Sequence, residues 1–153
     1  MSKKRKWEIE ALKKNKSLNG IAKTILNNRI DSFLEAVIRY FENNTVENLH
    51  DVRISIRRVR YSMELFLICF EKKLFLRFYS RVEKLQDLSG SVRDLDVLLE
   101  NVKALTDKGA IKSNPDLINQ VLNKKSELEE SFKYDMMKFL HSKVFKDFTK
   151  ALH

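Results

Sequence analysis

The chain is short of the residues that interrupt helices. Its 153 residues include three glycines and one proline. Long stretches without turn chemistry favour an all-helical domain. Cys69 is the only cysteine, which excludes an intrachain disulfide or a cysteine metal cluster and points to a reducing, cytoplasmic setting. No run approaches the ~18 apolar residues of a membrane span. The basic N-terminus has no apolar core of the kind a secretory signal needs. There is no Walker-type glycine loop and no G-x-S-x-G elbow, so nucleotide hydrolysis and serine-esterase chemistry lack their motifs. Acidic residues are the minority, 21 against 30 Lys and Arg. The excess, a formal charge of +9 with a pI near 9.6, predicts attraction to polyanions: nucleic acid, inorganic phosphate polymers or anionic lipid. Charge alone does not choose among them.

The length fits one domain able to bury roughly two-thirds of its unfolded surface. Residues 1–17, MSKKRKWEIEALKKNKS, carry seven Lys and Arg against Glu8 and Glu10, a net +5 of the chain's +9. They read as a basic arm ahead of a bundle over 18–153, either solubilising or holding a polyanion. KKRK also resembles a short nuclear-localisation cluster.

A first helix is expected over Leu18–Asn43, with Ile21, Ile25, Leu26, Phe33, Leu34, Val37 and Phe41 on its apolar face. ENNT (42–45) reads as a tight connection, with Thr45 the N-cap of the next helix and Glu47 in its first turn. The second helix runs through Phe70 to a turn near Glu71–Lys73. A third covers Leu74–Leu105 with a seam of Phe78, Leu85, Leu88, Val92, Leu95, Leu99 and Val102. Gly90 falls inside it at a cost of about 1 kcal/mol relative to alanine, and close helix packing is the commoner reason for such a glycine. DKGAIKSNP (107–115) is the clearest loop, after which Asn114 caps a fourth helix with Pro115 at its first position. That helix presents Ile118, Val121, Leu128, Phe132, Met136 and Phe139. Ser142 caps a short last helix using Phe145, Phe148 and Leu152. No internal repeat or low-complexity segment is present. The fold class is all-α: an antiparallel bundle of four main helices with a short C-terminal one.

The most informative stretch is 45–70, TVENLHDVRISIRRVRYSMELFLICF. At 100° per residue its side chains sort into three stripes. Leu49, Val52, Ile56, Val59, Met63, Phe66 and Phe70 make an apolar seam. On its flank His50, Arg53, Arg57 and Arg60 form a basic row about 15 Å long. Beyond the row lies a second apolar strip of Ile54, Tyr61, Leu65 and Ile68. Arginine stays protonated and matches phosphate oxygens with a rigid fork of donors. A row of this length suits several phosphates in series. On spacing alone, this reading stands level with interhelical ion pairing to Asp87, Asp94, Asp96 and Glu100. His50 is either a structural hydrogen bonder or a further anion donor, stronger at mildly acidic pH. Arg58 points elsewhere.

His50-Asp51 also matches the start of an HD-type metal phosphohydrolase signature. That chemistry needs further metal-binding histidines, yet the other two, His141 and His153, lie near the C-terminus. No metal site and no cofactor is expected. Cys69, inside LICF, reads as a small buried hydrophobe. Tyr61 neighbours the row, but most phenylalanines fall on seams, so base stacking is weakly supported.

Two stretches together resemble the CHAD family, the conserved histidine α-helical domains. Leu49–Phe66, LHDVRISIRRVRYSMELF, is similar to the family's His-x-x-Arg-Val-x-x-Arg-Arg-Leu-Arg helix, with Ile54 and Val59 in place of valine and leucine. Leu85–Glu100, LQDLSGSVRDLDVLLE, is similar to its Leu-Gly-x-x-Arg-Asp-x-Asp-Val stretch, with Ser89 in the leucine position before Gly90-x-x-Arg93-Asp94. With flanking helices the resemblance spans roughly Leu18–Leu152. It implies an antiparallel helical bundle that binds inorganic polyphosphate as an interaction module rather than an enzyme. The implied anion contacts are His50, Arg53, Arg57 and Arg60, joined by Arg93. Arg81 and Lys84 are weaker additions resting on nearness in sequence and basic character. Family members usually hold two such bundles in tandem, and this chain is long enough for one. The groove is then completed by a homodimer or by a half from another chain, with the Ile54–Ile68 strip as seam, or a single open face binds more weakly. A nucleic-acid-binding protein using the same row and the arm is the alternative.

Overall fold

Each described α-helix starts where a side chain accepts a backbone N–H of its first turn. The computed structural model describes residues 17–153. Ser17 Oγ accepts from Gly20 N (3.0 Å) at the head of α1 (Leu18–Glu42). Thr45 Oγ1 accepts from Asn48 N (3.1 Å) and opens α2 (Val46–Leu65), with Glu47 in the first turn. The Glu71 carboxylate accepts from Lys73 N (3.0 Å) and Leu74 N (2.7 Å) to start α3 (Lys72–Asp107). Asn114 Oδ1 caps α4 (Pro115–Leu140) through Leu117 N, and Ser142 Oγ caps α5 (Lys143–Ala151) through Phe145 N, both at 3.1 Å. Gly109, at φ 72°, ends α3 by turning its own N–H and that of Ala110 back onto the carbonyls of Thr106 and Leu105. The described residues form the predicted all-α bundle of four main helices and a short fifth. The basic arm, apart from Ser17, lies outside them.

α2 packs against α1 on one side and α3 on the other, and α3 pairs with α4. The core joins Leu26, Phe33 and Tyr40 of α1 to Val52, Ile56 and Met63 of α2, Phe78 and Val92 of α3, and Phe132, Met136 and Phe139 of α4. α5 closes one end. Phe148 stacks on Phe78 with ring centres 4.1 Å apart, and Asn27 Nδ2 donates to the Leu152 carbonyl at 3.0 Å. The predicted α2 seam is buried from Leu49 to Phe66, which fixes the rotation of the helix and turns the basic row onto its flank.

Four sequence expectations shift. α2 ends at Leu65 rather than running to Phe70, and Leu67–Cys69 form a single 3-10 turn. No helix breaker marks the reversal. It is held by Phe66 turning inward, by Phe70 packing on Phe75 and Phe148, and by the Glu71 cap. Cys69 there is half-buried rather than buried. On α1, Tyr40 is fully buried while Phe41 stays exposed. On α3 the buried face is Phe75, Phe78, Val82, Leu85, Ser89, Val92 and Asp96, whereas Leu88, Leu95, Leu99 and Val102 are half-buried.

The α3 discrepancy has a simple cause. Among the described residues α3 has only α4 to pack on beyond Asp96, and none from Val97 to Ser131 is buried. The two helices continue as a stalk whose Leu98, Leu105, Leu117 and Leu122 are all exposed.

Candidate anion-binding face

The α2 flank facing α3 carries the predicted row, and the structure divides it in two. Arg60 is engaged by its protein neighbours. Its Nε donates to Tyr79 Oη (2.8 Å) and Glu64 Oε1 (3.2 Å), Nη1 donates to Gln86 Oε1 (3.2 Å), and Nη2 lies 3.4 Å from Glu83 Oε2. The Tyr79 hydroxyl in turn donates to Glu64. The hydrogen bond to Tyr79, opposed by partial burial and reinforced by Glu64 and Glu83, holds Arg60 more firmly protonated than usual. Arg60 is thus ion-paired, though to Glu64 and Glu83 rather than to the expected Asp87, Asp94, Asp96 or Glu100, and three of its five N–H groups serve the α2–α3 contact instead of facing outward with the rest of the row.

One turn further towards the N-terminus of α2 the situation reverses. Among the described residues Arg53 and Arg57 make no ion pair and no side-chain hydrogen bond. Arg53 Nε is buried without a partner. Burial first, then the like charges of Arg57 and Arg93, lower the Arg53 pKa, with Asp94 opposing. Arg93 therefore reaches from α3 into the same positive cluster. It is tethered through Nη1 to Glu100 Oε1 at 3.3 Å, with 30% of its side chain exposed. His50 continues the row on the exposed surface. The result is a concentration of guanidinium charge, contributed by two helices, that the described protein does not fully neutralise. Such a cluster lowers its own energy by taking up an anion.

Gly90 borders this cluster, one turn before Arg93. Helix packing does not explain it, since a Cβ placed there meets nothing within 4 Å. Gly90→Ala is accordingly expected to raise stability by about 1 kcal/mol, the full helix-propensity difference, as read from urea unfolding midpoints. Ser89 beside it is fully buried and satisfies its hydroxyl on the Gln86 carbonyl at 2.7 Å.

Arg81 and Lys84 do not join the row. Lys84 and Arg93 are nine positions apart on α3, which is about half a turn at 100° per residue. Lys84 Nζ instead lies 3.5 Å from Asp135 Oδ2, and both basic residues line a small cleft with Lys138 of α4. Asp96 was expected among the row's braces, yet it points away from Arg53 and pairs with Lys125 at 2.6 Å. Sequence reasoning missed the Tyr79, Glu83 and Gln86 partners of Arg60. Only Glu64, at i+4, was readable locally.

The second apolar strip is open: Tyr61 is 56% exposed, Leu65 74% and Ile68 84%, with Ile54 half-buried. Ile68 belongs to the 3-10 turn rather than to α2.

The model of the CHAD domain matches residues 3–103. The chain belongs to the CHAD family. The matched segment takes in α1, α2 and most of α3, and so both arginine-bearing helices of the face. It begins within the arm and stops short of α4, a narrower C-terminal reach than the motifs implied. Neither a curated protein nor a solved structure matches the chain. No described helix of this CHAD protein is long and apolar enough to cross a membrane.

Proposed function

We propose that this CHAD domain binds inorganic polyphosphate, without turning it over, through His50, Arg53, Arg57 and Arg93. The observation that carries the reading is Arg53, its Nε buried without a hydrogen bond and its guanidinium without an ion pair among the described residues, crowded by Arg57 and Arg93 and balanced only in part by Asp94. A linear polymer of singly charged phosphates offers many oxygens at short spacing, which suits a row of forked donors better than one isolated anion does. Recognition is by charge-assisted hydrogen bonds and counterion release, so affinity falls steeply with salt. Gly90 keeps the α3 edge of the groove open for the chain to approach. Gly90→Ala therefore separates two effects: it stabilises the fold and weakens polyphosphate.

Arg60 serves as the built-in control. Arg60→Ala is expected to cost about 1 kcal/mol of stability by removing the Tyr79–Glu64–Gln86 contacts, while polyphosphate affinity changes less than twofold. A loss of affinity as large as that of an Arg57 variant would return Arg60 to the binding row. Competition with duplex DNA tests the nucleic-acid reading, because displacement of polyphosphate at equal phosphate concentration and moderate salt would favour it.

The reading extends to assembly. The Tyr61–Leu65–Ile68 strip lies beside the basic row and is the proposed seat of a second copy, which would bring a second row opposite the first. Sedimentation with and without polyphosphate distinguishes a ligand-linked dimer from a single open face.

A further inference from the structure

The basic residues that leave the arginine row gather on the other flank of α3. Arg81 and Lys84 of α3 and Asp135 and Lys138 of α4 line a cleft of about 40 Å³, floored by the buried Leu85 and Phe139. Each helix contributes two side chains three positions apart, a spacing that puts both on one face. Lys84 Nζ lies 3.5 Å from Asp135 Oδ2, but the lysine side chain is 66% exposed, so the pair stays open to a third partner. Lys138 Nζ has a neutral neighbour, the exposed Tyr134 ring, 6.0 Å from its centre. Arg81 is exposed and makes no ion pair among the described residues. Of the acids next to these residues along α3, Glu83 is turned to Arg60 and Asp87 lies outside the lining.

Three cations against one carboxylate leave two positive charges uncovered in the cleft. Leu85 and Phe139 put an apolar wall behind them, and charge of one sign over a low-dielectric wall concentrates counter-ions. Arg81 supplies a fork of donors matched to the oxygens of a tetrahedral anion, and the lysines add compact charges. The cleft is little larger than the roughly 30 Å³ share of one water. It therefore admits a compact anionic head and leaves anything attached to that head outside. A doubly charged head balances the excess, whereas a carboxylate or a singly charged phosphodiester covers half of it.

We propose that this cleft binds a phosphate dianion, either the free ion or the head of a phosphate monoester, its oxygens shared by Arg81, Lys84 and Lys138. The site uses none of the residues of the polyphosphate face and stands whether or not that face binds polyphosphate.

The test titrates methyl phosphate into the full-length ¹⁵N-labelled chain and follows amide shifts. Saturable shifts are expected around Arg81–Leu85 and Asp135–Phe139. A monoester gains its second charge at about pH 6, so affinity should be about tenfold weaker at about pH 5 than at about pH 8. Sulfate, doubly charged at both pH values, should bind without that change, which separates ionisation of the ligand from any titration of the protein. Arg81→Gln combined with Lys138→Gln, both at exposed positions, should abolish the shifts with the circular dichroism melt unchanged. Arg53→Ala with Arg57→Ala should leave them in place, and Asp135→Asn should tighten binding several-fold. Inorganic phosphate forms the second arm: tighter binding than methyl phosphate identifies the free ion as the ligand, and the reverse identifies an ester. Shifts that do not saturate, equal affinity for methyl phosphate at the two pH values, or retained binding in the Arg81→Gln, Lys138→Gln variant would overturn the assignment.

Discussion

Arg53→Ala combined with Arg57→Ala is expected to weaken long-chain polyphosphate binding by about 100-fold or more, since each charge-assisted hydrogen bond is worth about 1.5–3 kcal/mol. The dependence of log affinity on log salt should become shallower by about 1.4, the value for two phosphate contacts on a flexible polyanion. The fold should survive. Neither side chain makes an ion pair among the described residues, and the lowered Arg53 pKa means that its charged form is disfavoured in the folded chain. Removing both charges ends the burial cost of the Arg53 charge and the repulsion among Arg53, Arg57 and Arg93, so the melting temperature should hold or rise. Calorimetric titration across a salt series, with circular dichroism melts of the same samples, reads both effects. Unchanged affinity and slope in a folded double variant would remove the row from the binding site.

The second large effect concerns stability. Lys125→Met leaves the Asp96 carboxylate buried without its counter-charge, and breaking a buried pair costs about 3–5 kcal/mol. We expect the lower end, about 3 kcal/mol, because Lys125 keeps 22% of its side chain exposed although Asp96 keeps only 4%. That is a large part of a typical domain's stability. Burial acts to lower the Lys125 pKa, but the hydrogen bond to Asp96 and the charges of Asp96 and Glu129 outweigh it, so the folded value lies above the ordinary 10.5. A raised folded pKa gives a contribution fully present below 10.5 and lost as pH climbs through the folded value. The gap between wild type and Lys125→Met in urea midpoints should therefore be constant from neutral pH to about 9.5 and close at higher pH. A gap that widens in alkali would contradict the pairing.

Much of this could be read from the sequence, for physical reasons that also mark where reading stops. Thr45, Asn114 and Ser142 announce helix starts through their own side chains, so local chemistry suffices. The apolar period of α2 fixes its rotation, and with it the flank on which the arginines lie. The end of α2 was invisible because Phe66–Phe70 contains no breaker, and the reversal depends on rings packing against Phe75 and Phe148. Periodicity also treated Arg53, Arg57 and Arg60 alike. Only the opposing face of α3 distinguishes them, with Tyr79, Glu83 and Gln86 reaching Arg60 but not the other two. Asp94 and Asp96 sit in one motif yet diverge, since two positions on a helix are about 200° apart. One faces the arginine cluster and the other faces α4.

The stalk beyond Asp96 gives the molecule a gradient of cooperativity. With no buried side chain from Val97 to Ser131, the tip opens at a free energy well below that of global unfolding, and its amides should exchange with solvent long before those around Phe78. Arg53 and Arg57 sit on the slow-exchanging side of that boundary. Asp96 marks the boundary itself. Arg53 and Arg57, anchored on α2, would therefore be indifferent to whether the tip is open, whereas opening that reaches Glu100 would release the tether on Arg93.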